Sequence, residues 1–315
     1  MSKRICILFD TDMDTDCDDV GAFAMLLEAH RAGEAELIGV VADSVSPHAA
    51  PCCEVIAQYY GISVPIGAVC PDQYPRTGAD GERFAAYRRH SEACLAAGIS
   101  YNERFAKEIC KTDKNYPSAV TVYRKQLAAA EDHSVTVLCV GMLTAVAEAL
   151  ASPPDDISPL SGVELFEKKV DRVITMGNPD VTGDFNWGMD AVAAESFFRL
   201  CPVPIYVSAE GTDVLTGDHL SRALPAEHPL RRAYEIWLGG EDRARSSWDL
   251  IAALYAIRPD TPHLRCDAPI GGRYDQAEKR FFADARTSNI TQIRRSSDPT
   301  VMARLLNRYV LGDLD

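Results

Sequence analysis

Six aspartates within ten residues are the side chains of this chain best suited to chemistry. They lie in the stretch DTDMDTDCDD, as Asp10, Asp12, Asp14, Asp16, Asp18 and Asp19. An apolar run at residues 5–9 precedes them, and an apolar helical pattern at residues 20–27 follows. Carboxylates placed between two buried elements lose hydration and repel one another unless a cation compensates. The stretch therefore predicts a site for a hard divalent cation such as Ca²⁺ or Mg²⁺, which bind oxygen ligands.

The same stretch has other interpretations. A solvated loop that caps a helix needs one Asp rather than six. An EF-hand loop requires Gly at its sixth position and Glu at its twelfth, and counting from either Asp10 or Asp12 meets neither requirement. A DxD-type, Mg²⁺-dependent phosphatase fits Asp10 and Asp12, but its motif DxDx[TV] places Thr or Val where this chain has Asp14. The phosphatase stays open as an alternative.

The composition is that of a globular protein, and it argues against nucleic-acid and membrane partners. The 315 residues carry a net charge of −14, which argues against a nucleic-acid partner. No apolar run approaches the roughly 18 residues that span a bilayer, so we expect no membrane partner. Residues 5–9 are too short for a signal-peptide core. The ten cysteines form no regular framework and no CxxC pair, which indicates reduced thiols. These observations predict a cytoplasmic location.

The elements that must position the aspartates alternate between strand and helix. Buried strands are predicted at residues 4–9, 37–42, 64–67, 135–140, 170–175 and 205–208. Helices are predicted at residues 18–31, 49–60, 119–130, 144–151 and 191–200. This order predicts an α/β fold, a mostly parallel open sheet with helices on both faces, because parallel strands need helical crossovers.

Two regions depart from this alternation. Residues 70–116 are polar and irregular with short helical pieces, and so long an insertion is usually functional. After residue 212 the chain is mostly helical, with helices predicted at residues 230–238, 247–256 and 299–310. Strand-like residues 280–282 and 289–294 predict a C-terminal hairpin. No linker or repeat divides the chain, which predicts a single domain over residues 1–315.

Four segments resemble the motifs of the nucleoside hydrolase family. The acidic stretch with Val20 resembles the DTDxGxDxDDA version of its signature. The later segments are VTVLCVGMLT at 135–144, similar to VxxxxxGPLTN; VITMG at 173–177 with DFN at 184–186, similar to MGG…EFN; and SWD at 247–249, similar to the HD or WD motif. The motifs occur in the family's order from Asp10 to Asp249. The resemblance implies the family's fold, which has a Rossmann-type core.

The resemblance also implies a Ca²⁺ site. Carried over position by position, Asp12, Asp19 and Asp249 resemble the carboxylate ligands, and the backbone carbonyl of Val140 resembles a fourth. Asp10 resembles a carboxylate that supports these ligands from behind. In such a site Asp12 would also accept a proton from the water that attacks the sugar.

Substrate-binding roles follow from the same motifs. Asp18, Asp184 and Asn186 resemble ribose contacts, and Asn178 is the candidate for a further ribose-binding amide. Phe185 and Trp248 resemble pocket-wall aromatics, and either Asp43 or Ser44 occupies a substrate-contacting position. Further candidates for the base pocket lie in the insertion, at Phe84, Tyr87, Arg88 and His90, although a lone His90 is more often a surface residue.

The chain departs from the family pattern at two of these positions. Asp184 stands where the family often has Glu, so its carboxylate reaches less far toward a sugar. Trp248 replaces the His that many members place before the last Asp and that protonates the leaving base. A Trp there resembles the purine-preferring branch, in which an aromatic ring stacks on the base.

The resemblance therefore implies a Ca²⁺-dependent ribonucleoside hydrolase of purine salvage, with purine nucleosides favoured and a homodimer or homotetramer as the assembly. A second hypothesis is a non-catalytic protein that binds ribose or nucleosides and retains the metal site. The changes at Asp184 and Trp248 motivate it.

Overall fold

An open sheet with one antiparallel edge strand forms the centre of the molecule. The computed structural model describes residues 5–69, 83–107, 115–284 and 289–314. In these residues the main sheet contains β1 (Ile5–Thr11), β2 (Ala35–Ala42), β3 (Ile66–Ala68), β4 (Val135–Cys139), β5 (Val170–Met176), β6 (Ile205–Ser208), β9 (Leu264–Cys266) and β12 (Ile290–Arg295). Their order is β3-β2-β1-β4-β5-β6-β12-β9, and only β9 runs antiparallel to its neighbour.

Helices cover both faces of the sheet, so that two apolar cores form. One core contains α1 (Asp18–Ala32), α2 (Ala49–Tyr59), α11 (Pro229–Leu238), α12 (Trp248–Ile257) and α13 (Pro299–Tyr309). The other contains α5 (Ala119–Ala129), α6 (Thr144–Ala151), α7 (Gly162–Lys169) and α9 (Ala191–Leu200). Because the strands are buried from both sides, they are nearly continuous apolar runs.

The remaining elements are short, apart from one helix of 13 residues. They are the helices α3 (Ala85–Ala97), α4 (Tyr101–Ala106), α8 (Phe185–Met189) and α10 (Leu220–Ala223), and the strands β7 (Leu215–Thr216), β8 (Arg245–Ser246), β10 (Gly272–Asp275) and β11 (Arg280–Ala283). In the described residues, no helix is long and apolar enough to cross a membrane.

The parallel strands deliver several residues of interest to one edge of the sheet. Five strands end just before such a residue, so these residues lie at the same edge: Asp12 after β1, Asp43 after β2, Val140 after β4, Gly177 after β5 and Ala209 after β6. Open α/β sheets bind their ligands at this edge. The topology therefore places the acidic stretch beside segments that are distant in sequence.

The predicted fold class is confirmed, with strand and helix ends within two residues of those predicted. The helix α7 was not predicted, although Ser161 and Glu164 form the capping box that marks its start.

The predicted hairpin between residues 280–282 and 289–294 is wrong in its pairing. β11 pairs with β10, while β12 joins the main sheet beside β6. The alternating pattern of β12 fitted either partner, and only the tertiary fold selects one.

The predicted insertion at 70–116 is partly described. Residues 70–82 and 108–114 lie outside the described residues, and α3 and α4 account for most of the remainder. Gly98 ends α3 in a left-handed conformation with φ of 71°, and Ser100 caps α4. The cap matters for the site, because α4 starts against the acidic stretch.

Candidate active site

A cavity of about 420 Å³ opens at the edge of the sheet where the parallel strands end. Its volume suits a small organic ligand. Most of the predicted site residues line it: Asp12, Asp18, Asp19, Val140, Asn178, Asp184, Phe185, Asn186, Trp248 and Asp249. The carboxylates of this lining form an acidic wall, and its aromatic side chains form an aromatic wall. The structure thus brings together residues from one end of the chain to the other.

Three carboxylates form a compact cluster on the acidic wall. Asp18, Asp19 and Asp249 each offer an oxygen, and these oxygens all lie within 4.8 Å of one another. Asp18 and Asp19 begin α1, whereas Asp249 lies in the first turn of α12. The backbone N–H of Asp249 donates a hydrogen bond to Asp18 at 3.1 Å. The cluster is therefore assembled by the packing of α1 against α12.

Gly21 allows the two helices to approach so closely. A Cβ atom at this position would lie 2.8 Å from Leu250 and 2.9 Å from the hydroxyl of Tyr234. Real Cβ atoms do not approach other atoms to this distance, so a larger residue would force the buried side chains of Leu250 and Tyr234 to shift. Since Asp249 is carried by α12, the absence of a side chain at Gly21 helps to set the geometry of the acidic cluster.

Asp12 lies beside the cluster and presents an unpartnered atom. It is 2% exposed, and its Oδ2 has no hydrogen-bond partner among the described residues. Together with burial, its charge raises the pKa of Asp19, because the two carboxylates are neighbours. The resemblance implied Asp12 rather than Asp18 as a third carboxylate ligand, whereas the compact cluster contains Asp18. Both line the same cavity.

Burial makes the charged forms of these carboxylates costly. It raises the pKa of Asp12 to about 7, and it raises the pKa values of Asp18, Asp19 and Asp249 well above their ordinary range. Repulsion from neighbouring carboxylates adds to the effect. A divalent cation would offset both costs.

The donor set fits a hard cation. It consists only of oxygens. Ca²⁺ and Mg²⁺ prefer oxygen ligands, whereas zinc sites are built mainly from nitrogen and sulfur ligands. The carbonyl of Val140 lies in the same cavity and accepts one hydrogen bond, from Nδ2 of Asn186 at 2.6 Å. A carbonyl oxygen has two lone pairs, so one stays available for a cation. The identity of the metal does not follow from this donor set.

The loop after β5 forms the polar floor of the cavity. Asp184 caps the short helix α8: one oxygen accepts the N–H of Trp187 at 3.1 Å, and the other accepts the N–H of Asn178 at 3.0 Å. Its carboxylate therefore stabilises the loop while lining the cavity. The predicted ribose contacts Asn178, Asp184 and Asn186 are adjacent here, and contact with a sugar stays a prediction.

Aromatic side chains form the other wall. Phe185 is 43% exposed, and its ring contacts that of His90 with 5.4 Å between centroids. Trp237 approaches His90 at 6.4 Å, and Trp248 donates a hydrogen bond to Thr212 at 3.0 Å. His90, one of the further candidates for the base pocket, lines the cavity, and so does Trp237, which was not among those candidates.

Several candidates lie away from the cavity. Asp10 is fully buried and accepts a hydrogen bond from the hydroxyl of Tyr123 at 2.5 Å, as suits a residue behind the ligands. Ser44 is 1% exposed, is absent from the described cavity lining and hydrogen-bonds the hydroxyl of Tyr87. The buried position of Ser44 does not support the predicted contact with a substrate. Tyr87 and Phe84 are core residues.

The sequence assigned no task to Asp14 and Asp16, and the structure places both in contacts across the site. Asp16 lines the cavity and pairs with Arg245, which was also not predicted. No local signal could identify Arg245, because its partner lies 229 residues away.

Asp14 joins the acidic stretch to the insertion. Its carboxylate accepts hydrogen bonds from the hydroxyl of Ser100 at 2.6 Å and from the N–H groups of Tyr101 and Asn102 at 3.0 and 3.2 Å. Its φ of 93° lies in the region that favours glycine, which the family signature has at this position. The strained backbone is held by these contacts with the start of α4.

Comparison with known proteins agrees with the fold. A sequence model described as inosine-uridine preferring nucleoside hydrolase matches residues 7–303. The fold is similar to that of an inosine-uridine preferring nucleoside hydrolase from Bacillus anthracis (TM-score 0.65, 16% identity, 99% of this chain and 100% of that one). It is also similar to that of a plant nucleoside hydrolase (TM-score 0.68, 17% identity, 98% and 99% covered).

A third similar structure is the type III effector protein XopQ in complex with adenosine diphosphate ribose (TM-score 0.69, 15% identity, 99% of this chain and 94% of that one covered). The comparison with curated proteins found no match.

A methyl group at Gly141 should displace Asp12. A Cβ there would lie 2.6 Å from both Cβ and Oδ1 of Asp12 and 2.5 Å from its backbone nitrogen. We expect Gly141→Ala to weaken Ca²⁺ binding by about tenfold or more in calorimetric titration, since ligand orientation controls metal affinity. Gly188→Ala is the control, because its Cβ has only ordinary contacts from 3.4 Å. Equal affinity in the two variants would contradict the expectation.

The contacts of Asp14 should hold α4 in place. Asp14→Gly relieves the backbone strain but removes the acceptor at the helix start. We expect the amides of Tyr101–Ala106 to exchange hydrogen about tenfold faster or more, with little change in Tm. Asp14→Ala loses the same contacts and keeps the strain, so its Tm should fall. Unchanged exchange in both variants would show that Asp14 does not anchor the insertion.

Without metal, the chain should be more stable at pH 6 than at pH 8. Burial raises the folded-state pKa of Asp12 to about 7, against about 3.9 in an unfolded chain. The folded state therefore binds more protons between these values, and stability rises as the pH falls. Thermal unfolding with a chelator measures this. Ca²⁺ at pH 8 should raise Tm and reduce the pH dependence; a Tm that falls from pH 8 to pH 6 would contradict the account.

Proposed function

The chain belongs to the family of inosine-uridine preferring nucleoside hydrolases, and we propose that it hydrolyses the N-glycosidic bond of ribonucleosides with a bound Ca²⁺, purine nucleosides being preferred. Membership makes it a ribonucleoside hydrolase, while the choice of Ca²⁺ and of purines is the proposal. The observation that carries it is the unpartnered Oδ2 of buried Asp12 beside the cluster of Asp18, Asp19 and Asp249. An acceptor and a cation site therefore face one cavity.

The acidic wall would hold the cation. Asp12, Asp19, Asp249 and the carbonyl of Val140 are the proposed ligands, and the position of Asp18 in the compact cluster makes it a fifth candidate. Ca²⁺ accepts six to eight oxygens, so room would remain for a water and the hydroxyls of a ribose. When bound, the cation would supply positive charge that makes a nearby water more acidic.

Asp12 is the proposed general base. Asp12 lines the cavity with one oxygen that has no hydrogen-bond partner among the described residues, and a pKa raised toward neutrality by burial suits a group that accepts a proton near pH 7. Transfer of the water proton to Asp12 accompanies attack of the water oxygen on C1′ of the ribose. The bond between C1′ and the base nitrogen breaks, and its electron pair leaves with the base.

The acidic wall has a second use in this reaction. As the base departs, the sugar acquires positive charge and resembles an oxocarbenium ion. Carboxylates fixed in a buried site stabilise such charge without having to reorient. Asn186 and Asp184 are proposed to contact the ribose from the loop after β5.

The aromatic wall would hold the base. Phe185 and Trp248 line the same cavity as the carboxylates, and aromatic rings stack favourably on planar bases. A purine presents more ring surface than a pyrimidine, which is the reason for the proposed preference.

The two alternatives differ in their support. In an aspartyl-phosphate phosphatase the first Asp of the motif would be the nucleophile, but Asp10 is buried and is absent from the described cavity lining. The non-catalytic hypothesis has one observation in its favour: both oxygens of Asp184 already accept backbone hydrogen bonds, so this residue has less capacity to hold a sugar. The single domain, the cytoplasmic location and the homodimer or homotetramer stay predictions.

The deciding experiment measures release of free base and reducing sugar from inosine, adenosine, guanosine, uridine and cytidine with Ca²⁺. We expect release from the purine nucleosides first. Asp12→Asn should keep its Tm within a few degrees and lower kcat by about 10³-fold or more, because the base is removed while the shape is retained. Asp180→Asn, on the exposed part of the β5 loop, is the matched control.

Two outcomes would count against the proposal. Nucleoside binding with no release from any of the five would favour the non-catalytic hypothesis. Undiminished turnover by Asp12→Asn would remove Asp12 as the base, even if the chain is an active hydrolase.

A further inference from the structure

An ion pair joins the acidic stretch to the segment before Asp249. Nε of Arg245 donates to both oxygens of Asp16, at 3.0 and 2.8 Å, and Nη2 donates to Oδ2. The pair is partly shielded from water, with side-chain exposures of 37% for Arg245 and 15% for Asp16. Both residues line the cavity. An arginine held along one edge has a fixed orientation.

The opposite edge of the guanidinium is available. Among the described residues, all hydrogen bonds of the Arg245 side chain run through Nε and Nη2, and Nη1 makes none. The Cζ atom lies 5.1 Å from the ring centroid of Trp248, over the ring. Arg245 thus places hydrogen-bond donors beside the aromatic surface that is proposed to receive the base.

The departing base needs a hydrogen-bond donor, and the motif residues do not supply one. The electron pair of the broken bond leaves the base with negative charge, which a hydrogen-bond donor must stabilise. The residue before Asp249 is Trp248, whose N–H is already bonded to Thr212. His90 also lines this part of the cavity, but its Nε2 is bonded to the carbonyl of Thr15 at 3.0 Å.

We propose that Arg245 is a catalytic residue that donates a hydrogen bond to the departing base, and that Asp16 is the positioning residue that holds it. The proposal rests on the proposed function. Arginine keeps its proton at all relevant pH values, so Arg245 is a donor and not a source of protons. The water oxygen bonds to C1′, its proton goes to Asp12, and the released base takes its proton from solvent.

The test compares two leaving groups on the same sugar. Inosine has a poor leaving group that needs stabilisation, whereas p-nitrophenyl β-D-ribofuranoside releases a stable phenolate that needs little. Arg245→Met keeps the apolar stem and removes the donors. We expect kcat/KM for inosine to fall by about 100-fold or more, the usual effect of losing one such donor. For the nitrophenyl riboside we expect a change within about threefold.

Further variants separate catalysis from structure. Asp16→Asn should show the same selective loss for inosine, but smaller, since the donor remains and is only less well held. Arg245→Lys should recover part of the inosine activity, and it replaces Arg245→Met if that variant does not fold. Arg243→Met is the matched control: this exposed arginine lies two residues away and bonds the carbonyl of Leu238, outside the described cavity lining.

The outcomes are distinguishable. A selective loss for inosine in the Arg245 and Asp16 variants supports the proposal. Equal losses for both substrates, or no loss for either, overturn it while the proposed function stands. A wild-type chain that hydrolyses neither substrate overturns the proposed function and this inference with it.

Discussion

The burial of several carboxylates at one edge of a sheet is the constraint on which this structure depends. Asp12, Asp18, Asp19 and Asp249 are nearly inaccessible to water, and burial raises each of their pKa values. Removing a charged carboxylate from water costs several kcal/mol, and mutual repulsion adds to that cost. No packing of apolar residues offsets such a cost locally. A bound cation would, so the same feature that weakens the metal-free fold makes a metal site.

The scaffold meets this constraint with close backbone contacts. Gly21 lets α12 approach α1, and Gly141 lets the end of β4 approach Asp12. A side chain at Gly141 would collide with Asp12 itself, and one at Gly21 would collide with Leu250, the residue after Asp249, so the site depends on two glycines that carry no chemistry themselves. The parallel sheet supplies the rest, since its strand ends place Asp12, Val140 and the loop of Asn186 around one cavity. Site and scaffold are thus coupled through short distances rather than through flexible loops.

Two aspartates of the acidic stretch are compensated by protein groups instead of a cation. Asp14 accepts three hydrogen bonds at the start of α4, and Asp16 pairs with Arg245. The first joins the insertion to the metal-binding loop, and the second joins that loop to the segment before α12. The aspartates of the stretch therefore fall into two groups according to their partners. Some carboxylates face the cavity and a cation, while others fasten the elements that enclose it.

The sequence by itself determined the fold class, the acidic site and most of the cavity lining. Hydrophobic periodicity and the order of strands and helices are local properties, and the motif aspartates sit at strand ends that a parallel sheet must bring together. Only the tertiary structure decided the pairing of β12, the burial of Ser44 and the contacts of His90 and Trp237 with the cavity. It also decided the roles of Asp14 and Asp16. Their partners lie 86 and 229 residues away, and no local pattern encodes which distant side chain will meet a given carboxylate.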